Sequence, residues 1–212
     1  MSRRLVVLVA ALAAALLVVP AALAVRVHVR VEGKTRTIFG APAPSIDVVS
    51  PRANPLPETA LDALESASLV GEFYYHLSIT SFGPYVDQVG RYAAEGQAGW
   101  AFKVNGVSPP VGANGVQLKQ GDTVLWYWAQ FGTAGGPKTL VLSRAGKSCY
   151  RVVAQDDKGA LTPALGSVLH VGSRRTVRTQ GSAQAAVGCV GAHKGLLVRA
   201  TLPGAVRSNA VP

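Results

Sequence analysis

Residues 99–131, GWAFKVNGVSPPVGANGVQLKQGDTVLWYWAQF, decide the fold. They read as a strand, an Asn105-Gly106 turn, a Gly/Pro-rich loop, a Gly121-Asp122 turn and a Trp-dense strand. Asn-Gly between apolar runs predicts a type I′ turn, since both central positions need positive φ. Asp122 reads as a turn residue whose short side chain bonds nearby backbone. In the last strand Val124, Trp126 and Trp128 face one way, and Leu125, Tyr127 and Ala129 the other. Trp100, Phe102 and Val104 share one face of the preceding strand.

Upstream, Val25, Val27, Val29 and Val31 alternate with Arg26, His28, Arg30 and Glu32, the period-two pattern of a half-buried strand. Gly33-Lys34 turns the chain, and residues 35–39 return as a second strand. Residues 41–57 are Pro-rich and irregular. Pro57-Glu58-Thr59 then opens a helix, with Pro near its first position and an acid in its first turn. Ala60, Ala63, Leu64 and Ala67 form its apolar face, widened by Leu61, while Asp62, Glu65 and Ser66 are expected in solvent. Gly71 is expected to end it. Strands at 73–80, 85–89, 100–104 and 124–131 complete the pattern. A hairpin, a helix laid on a sheet, then further strands is the order of a β-grasp, an α+β unit with one main helix.

The sequence VxVRVEG…TIF, the Pro-flanked TALDAL helix, GWAFKVNG and LKQGDTVLWYW together resemble the transcobalamin C-terminal-like domain of the soluble-ligand-binding β-grasp group. The resemblance covers residues 25–131. It implies recognition of a small soluble ligand, with a corrinoid as the candidate and no cofactor required. In transcobalamins this domain caps a cobalamin held mainly by a separate helical barrel, and this sequence shows one helical stretch and no such barrel.

Two readings of the aromatics stay open. Trp100, Trp126 and Trp128 pack as core and cross-strand pairs, or Trp100, Phe102, Asn105, Trp126, Tyr127 and Trp128 form a platform that stacks a flat or sugar-like ligand. Tyr75, within Phe73-Tyr74-Tyr75-His76, reads equally as pocket wall or strand core.

Beyond the connection 132–137, GTAGGP, read as a Gly/Pro linker, the chain changes character. Residues 25–136 carry 8 Lys/Arg and 9 Asp/Glu, whereas residues 137–212 carry 11 Lys/Arg and 2 Asp. That asymmetry suggests two folding units. Short β segments at 139–143, 149–155, 168–171, 176–179, 185–190 and 196–201 are expected to make residues 138–212 a small β-sandwich. Turns are read at 156–159, 172–173, 181–182 and 203–204. The run from Gly159 through Gly166 and Val171-Gly172 to Val198-Arg199-Ala200-Thr201 and residues 204–209 resembles prealbumin-like or immunoglobulin-like modules of bacterial surface proteins. Arg174, Arg175 and Arg178, with Lys194 and Arg199 later, are either a docking surface for an anionic envelope polymer or a solvated face. Nucleic acid is not an expected partner, because no aromatics interleave with these basic residues.

Arg3 and Arg4, an apolar run over residues 5–19, and Ala22-Leu23-Ala24 predict a secretory signal peptide cut after Ala24. No later segment is long and apolar enough for a stable membrane span. The expectation is a secreted protein, cell-wall associated if the basic half docks. In an exported chain the isolated pair Cys149 and Cys189 is expected to form a disulfide.

Signals for chemistry are sparse. There is no GxSxG elbow, HExxH or CxxC. Asp156-Asp157 lacks the further oxygens of a calcium loop. GTAGGPKT has Pro137 where a phosphate loop needs Gly. The leading expectation is therefore a mainly β, non-enzymatic binding protein with no metal. The alternative is a structural or adhesive surface protein. A hydrolase would require His76, Asp87 and Ser81 to meet in a cleft.

Overall fold

The computed structural model describes residues 24–40, 45–48, 58–133, 135–172, 175–182 and 185–212. Most of the expected leader, most of the Pro-rich stretch 41–57, Ala134, Ser173 and Arg174 lie outside them. Among the described residues the architecture is mainly β with one α-helix and several sheets.

The alternating valines place β1 (Arg26–Glu32) at the centre of the first sheet, with Val27, Val29 and Val31 fully buried. Along one edge β1 pairs antiparallel with β2 (Thr37–Phe39) and β3 (Ser45–Asp47). Along the other it runs parallel to β8 (Thr123–Gln130), with Val29 opposite Val124 and Val31 opposite Trp126. β7 (Ala98–Val104) is antiparallel to β8, with Trp100 opposite Trp128. Parallel neighbours need a crossover, and the helix α1 (Ala60–Gly71) lies within it. A first and a last strand paired in parallel, with a helix on one face, is the β-grasp arrangement. β4 (Tyr75–Thr80), β5 (Gly83–Val89) and β6 (Tyr92–Ala93) form a separate meander beside β7.

The helix starts at Ala60, after the Pro57-Glu58-Thr59 opening, and ends at Gly71 as expected. Thr59, the last residue of that opening, caps it: Asp62 N–H donates to Thr59 Oγ1 at 3.3 Å, and Thr59 N–H donates to Asp62 Oδ2 at 2.9 Å. This reciprocal box draws Asp62 out of solvent. Ser66, also expected in solvent, is buried because its hydroxyl donates back to the Asp62 carbonyl at 2.8 Å. Past Gly71, the last helical residue, the left-handed position falls on Glu72, at φ 50°. Gly71 is glycine for want of space, since a Cβ there would lie 2.6 Å from Phe39. Thr59→Ala is expected to cost about 1–2 kcal/mol, because it removes the cap and strands buried donors. Urea unfolding monitored by circular dichroism measures this, and a cost below about 0.3 kcal/mol would contradict the capping account.

Residues 138–212 form two packed sheets. β10 (Cys149–Gln155) pairs with β9 (Thr139–Arg144) on one edge, and with β15 (Ala185–Cys189) and then β11 (Leu161–Pro163) on the other. β14 (Gln180–Ser182) pairs with β15, so the turn read at 181–182 is instead a strand. In the second sheet β12 (Val168–Val171) is flanked by β13 (Arg175–Arg178) and β16 (Val198–Thr201). Leu140, Leu142, Tyr150, Val152, Leu169, Val171 and Val198 fill the space between. Cys149 opposes Cys189 across β10 and β15, and the two form the disulfide.

The second face of the first sheet is not solvated. Arg30 and Glu32 of β1, Lys103 of β7 and Tyr127 of β8 are all buried on it. What covers them is the basic half: Tyr127 and Ala129 pack with Val206, and Leu125 and Ala101 flank them. At the connection, Gly132 and Gly135 exchange hydrogen bonds at 3.1 Å.

Candidate functional site

The β7 strand holds the candidate site on its outer edge. That edge faces β5, and between them opens a groove of about 290 Å³. Pro84, Tyr85 and Val86 form one wall, Trp100 and Phe102 the other, with Pro109 and Phe131 at its borders. β5 leans towards β7 where the chain lacks a side chain: a Cβ on Gly99 would lie 2.4 Å from the Tyr85 hydroxyl. Tyr85 is 39 % exposed and so forms a rim. A second depression of about 340 Å³, lined by residues 96–99 and 131–133, also reaches Tyr85 and Phe131.

The polar groups of the groove come from the junction of the two halves. Ser108 Oγ donates to Asp157 Oδ1 at 3.0 Å, and both residues line the groove with Tyr127. Burial and the charge of Asp157 push the Tyr127 phenol up to about 12, against a hydrogen bond with Ser108. Tyr127 is thus a neutral group across the physiological range. Nearby, the fully buried Lys103 Nζ donates to Asp156 O at 2.8 Å, Gln155 O at 3.2 Å and Thr139 Oγ1 at 3.3 Å. It also pairs with Asp157 Oδ1 at 3.4 Å. Burial pushes the Lys103 ammonium's pKa down, and Asp157 and Asp156 oppose that.

The residues singled out from sequence separate into groups. Trp126 is buried under the helix, its indole N–H donating to Ala60 O at 3.2 Å, and it stacks on Phe102 at 5.1 Å between centroids. Trp100 is buried, donates to Tyr92 O at 2.8 Å and meets Trp128 edge-on at 6.0 Å. The three Trp therefore pack with core and cross-strand partners, and Trp100, Phe102, Trp126 and Tyr127 also line the groove. Trp128, half-buried, stands apart from it, beside Gly33, Lys34 and Gly204.

Asn105 is bound into the turns. Its Nδ2 donates to Asp122 Oδ1 at 2.8 Å, and its Oδ1 accepts from Thr123 N–H at 2.9 Å. With φ of 51° and 82°, Asn105 and Gly106 form the expected left-handed pair. Tyr75 lies on β4 away from the groove, its hydroxyl bonded to Glu65. Arg178 is exposed and donates to Gly166 O at 3.3 Å. Arg174 and the Arg175 side chain lie outside the described residues.

The hydrolase constellation does not assemble. His76 Nδ1 lies 2.7 Å from Asp87 Oδ1, and the serine on Asp87 is Ser78, not Ser81. Its hydroxyl donates to the carboxylate and not to an imidazole, so no base is placed to activate it. Burial raises the Asp87 pKa, but the hydrogen bonds from Ser78 and His76 outweigh this and hold it below the ordinary value. Among the described residues no group of His, Cys, Asp and Glu could hold a metal ion, and no helix is long and apolar enough to cross a membrane.

Sequence reading missed the groove's far wall. Pro84, Tyr85 and Val86 sit on a strand whose only local signal was a short apolar run, and nothing local says that its free edge faces β7. No curated protein matches the chain. Residues 58–130, from the helix cap to the end of β8 and so including both groove walls, match a family described as a domain of unknown function, DUF4430.

Proposed function

We propose that this is an exported, non-enzymatic binding protein whose β-grasp unit grips a small soluble ligand between β5 and β7. The observation that carries this reading is the aromatic groove itself: Tyr85, Trp100, Phe102 and Trp126 around a few convergent polar groups, Ser108, Asp157 and Tyr127. Apolar walls with sparse polar groups are the usual make-up of ligand sites. At about 290 Å³ the groove lies near the lower limit of such sites, roughly 300–1,000 Å³. It would hold one edge of a corrinoid and not the whole, which agrees with the capping role that the transcobalamin resemblance implies.

The test is Trp fluorescence of the chain titrated with corrinoids and envelope glycans. Saturable quenching is expected, weakened at least tenfold in Tyr85→Ala while circular dichroism stays unchanged. A flat response across the panel, or quenching indifferent to Tyr85→Ala, would refute the reading.

A second reading, an adhesive surface protein with no small ligand, is favoured by one observation. The β4–β5 hairpin presents Ile79 at 80 % and Phe82 at 95 % exposure, an apolar tip of the kind found at contact sites. A flat titration together with loss of surface adhesion in Phe82→Ser would select it.

A further inference from the structure

The buried face of β1 carries charge that the joint between the halves does not neutralise. Glu32 is fully buried and accepts from Arg30 Nη1 at 3.2 Å, Arg207 Nε at 3.1 Å and Thr37 Oγ1 at 2.8 Å. Arg199 joins the cluster through Thr37, donating from Nη1 to Oγ1 at 2.6 Å. Two guanidinium groups thus bond one carboxylate, and a third is tied to it through Thr37. Burial pushes the Arg30 pKa down, and the like charges of Arg199 and Arg207 add to this against the pull of Glu32.

This surplus positive charge borders open space. A cavity of about 420 Å³ is lined by Arg199, Arg207, His170, Thr201 and the apolar Leu197 and Ala210. Arg199 Nε is buried and makes no hydrogen bond to any described residue. A buried donor left unpaired is costly. His170 Nε2 and Thr201 Oγ1 lie 2.8 Å apart on the cavity wall.

We propose that this cavity is an oxyanion-binding site, in which Arg199 and Arg207 hold a phosphoryl group whose organic substituent lies along Leu197 and Ala210. Guanidinium forks match phosphoryl oxygens in geometry as well as charge. The volume lies within the range of small-molecule sites, roughly 300–1,000 Å³, so it admits a substituent of about one sugar besides the anion. His170 and Thr201 offer further polar contacts. The site shares no residue with the β5–β7 groove, so either assignment stands without the other.

The probes are inorganic phosphate, glucose 1-phosphate and glucose, titrated against the full chain at 150 mM NaCl by calorimetry and ³¹P line broadening. Saturable binding is expected for both phosphates, tighter for the sugar phosphate, with none for glucose. Arg199→Gln is expected to weaken binding at least tenfold. His170→Ala, which leaves the guanidinium cluster untouched, is expected to weaken it severalfold, and it serves as the test if Arg199→Gln does not fold. Absence of saturable phosphate binding to the unsubstituted chain would overturn the proposal. So would binding that vanishes with added salt while ignoring the substitutions, since that is the signature of the chain's formal net charge of +10 and not of a site.

Discussion

Lys103→Met is expected to lower the unfolding free energy by about 2–4 kcal/mol. The substitution keeps length and apolar volume, so the change reads out the ammonium alone. Two carbonyls, Gln155 O and Asp156 O, and the Thr139 hydroxyl lose their common donor. Each buried acceptor left unmet costs about 1–3 kcal/mol, and part of the sum is recovered because no charge is desolvated any longer. The acceptors belong to β9 and to the end of β10, while Lys103 belongs to β7. The loss should therefore fall on the joint between the halves. Urea unfolding gives its size, and hydrogen exchange its place: faster exchange near residues 155–157 and on β7, with α1 unchanged. A change below about 1 kcal/mol, or protection lost evenly along the chain, would mean that Lys103 does not hold the halves together.

The second large effect is expected from the disulfide. Replacing both Cys149 and Cys189 by Ala should cost about 2–5 kcal/mol, the usual range for removing a native bridge from a small domain. The bridge closes a loop with a sequence separation of 40, and it ties β10 to β15 in a sheet whose halves share a modest core. Residues 138–212 should lose structure first, and the cover over Tyr127 and Lys103 should loosen with them. Denaturant midpoints of oxidised, reduced and substituted protein measure this. Equal midpoints would show that the sheet register is held by packing alone.

The strands and the helix were legible because their signals are local. Valine alternation gave β1, Asn105-Gly106 and Gly121-Asp122 gave the turns, and Ala60, Ala63, Leu64 and Ala67 gave the buried helix stripe. Burial of the polar alternates was not legible. Arg30 and Glu32 read as an outer face because polarity at every second position predicts solvent, and only the basic half, packed on that face, removes it. Arg199 was grouped with surface cations for the same reason. The helix starts later than Pro57 near its first position implies, because the Thr59–Asp62 exchange fixes the start at Ala60 through two buried hydrogen bonds. Of the site, the aromatic wall on β7 and β8 was visible, while the facing wall on β5 depends on how a separate meander docks.

The bonds from Arg207 to Glu32 span 175 residues, and those from Arg30 to the Arg207 carbonyl span 177. A strand made early is thus completed by residues made long after it. Contacts so distant along the chain close slowly, since loop entropy is lost before they form. Until then β1 presents a charged face that resists premature collapse, even after β8, its parallel neighbour, has been made. A chain built this way keeps its first sheet open through much of its synthesis, and that sheet locks only once residues 199–207 have joined it.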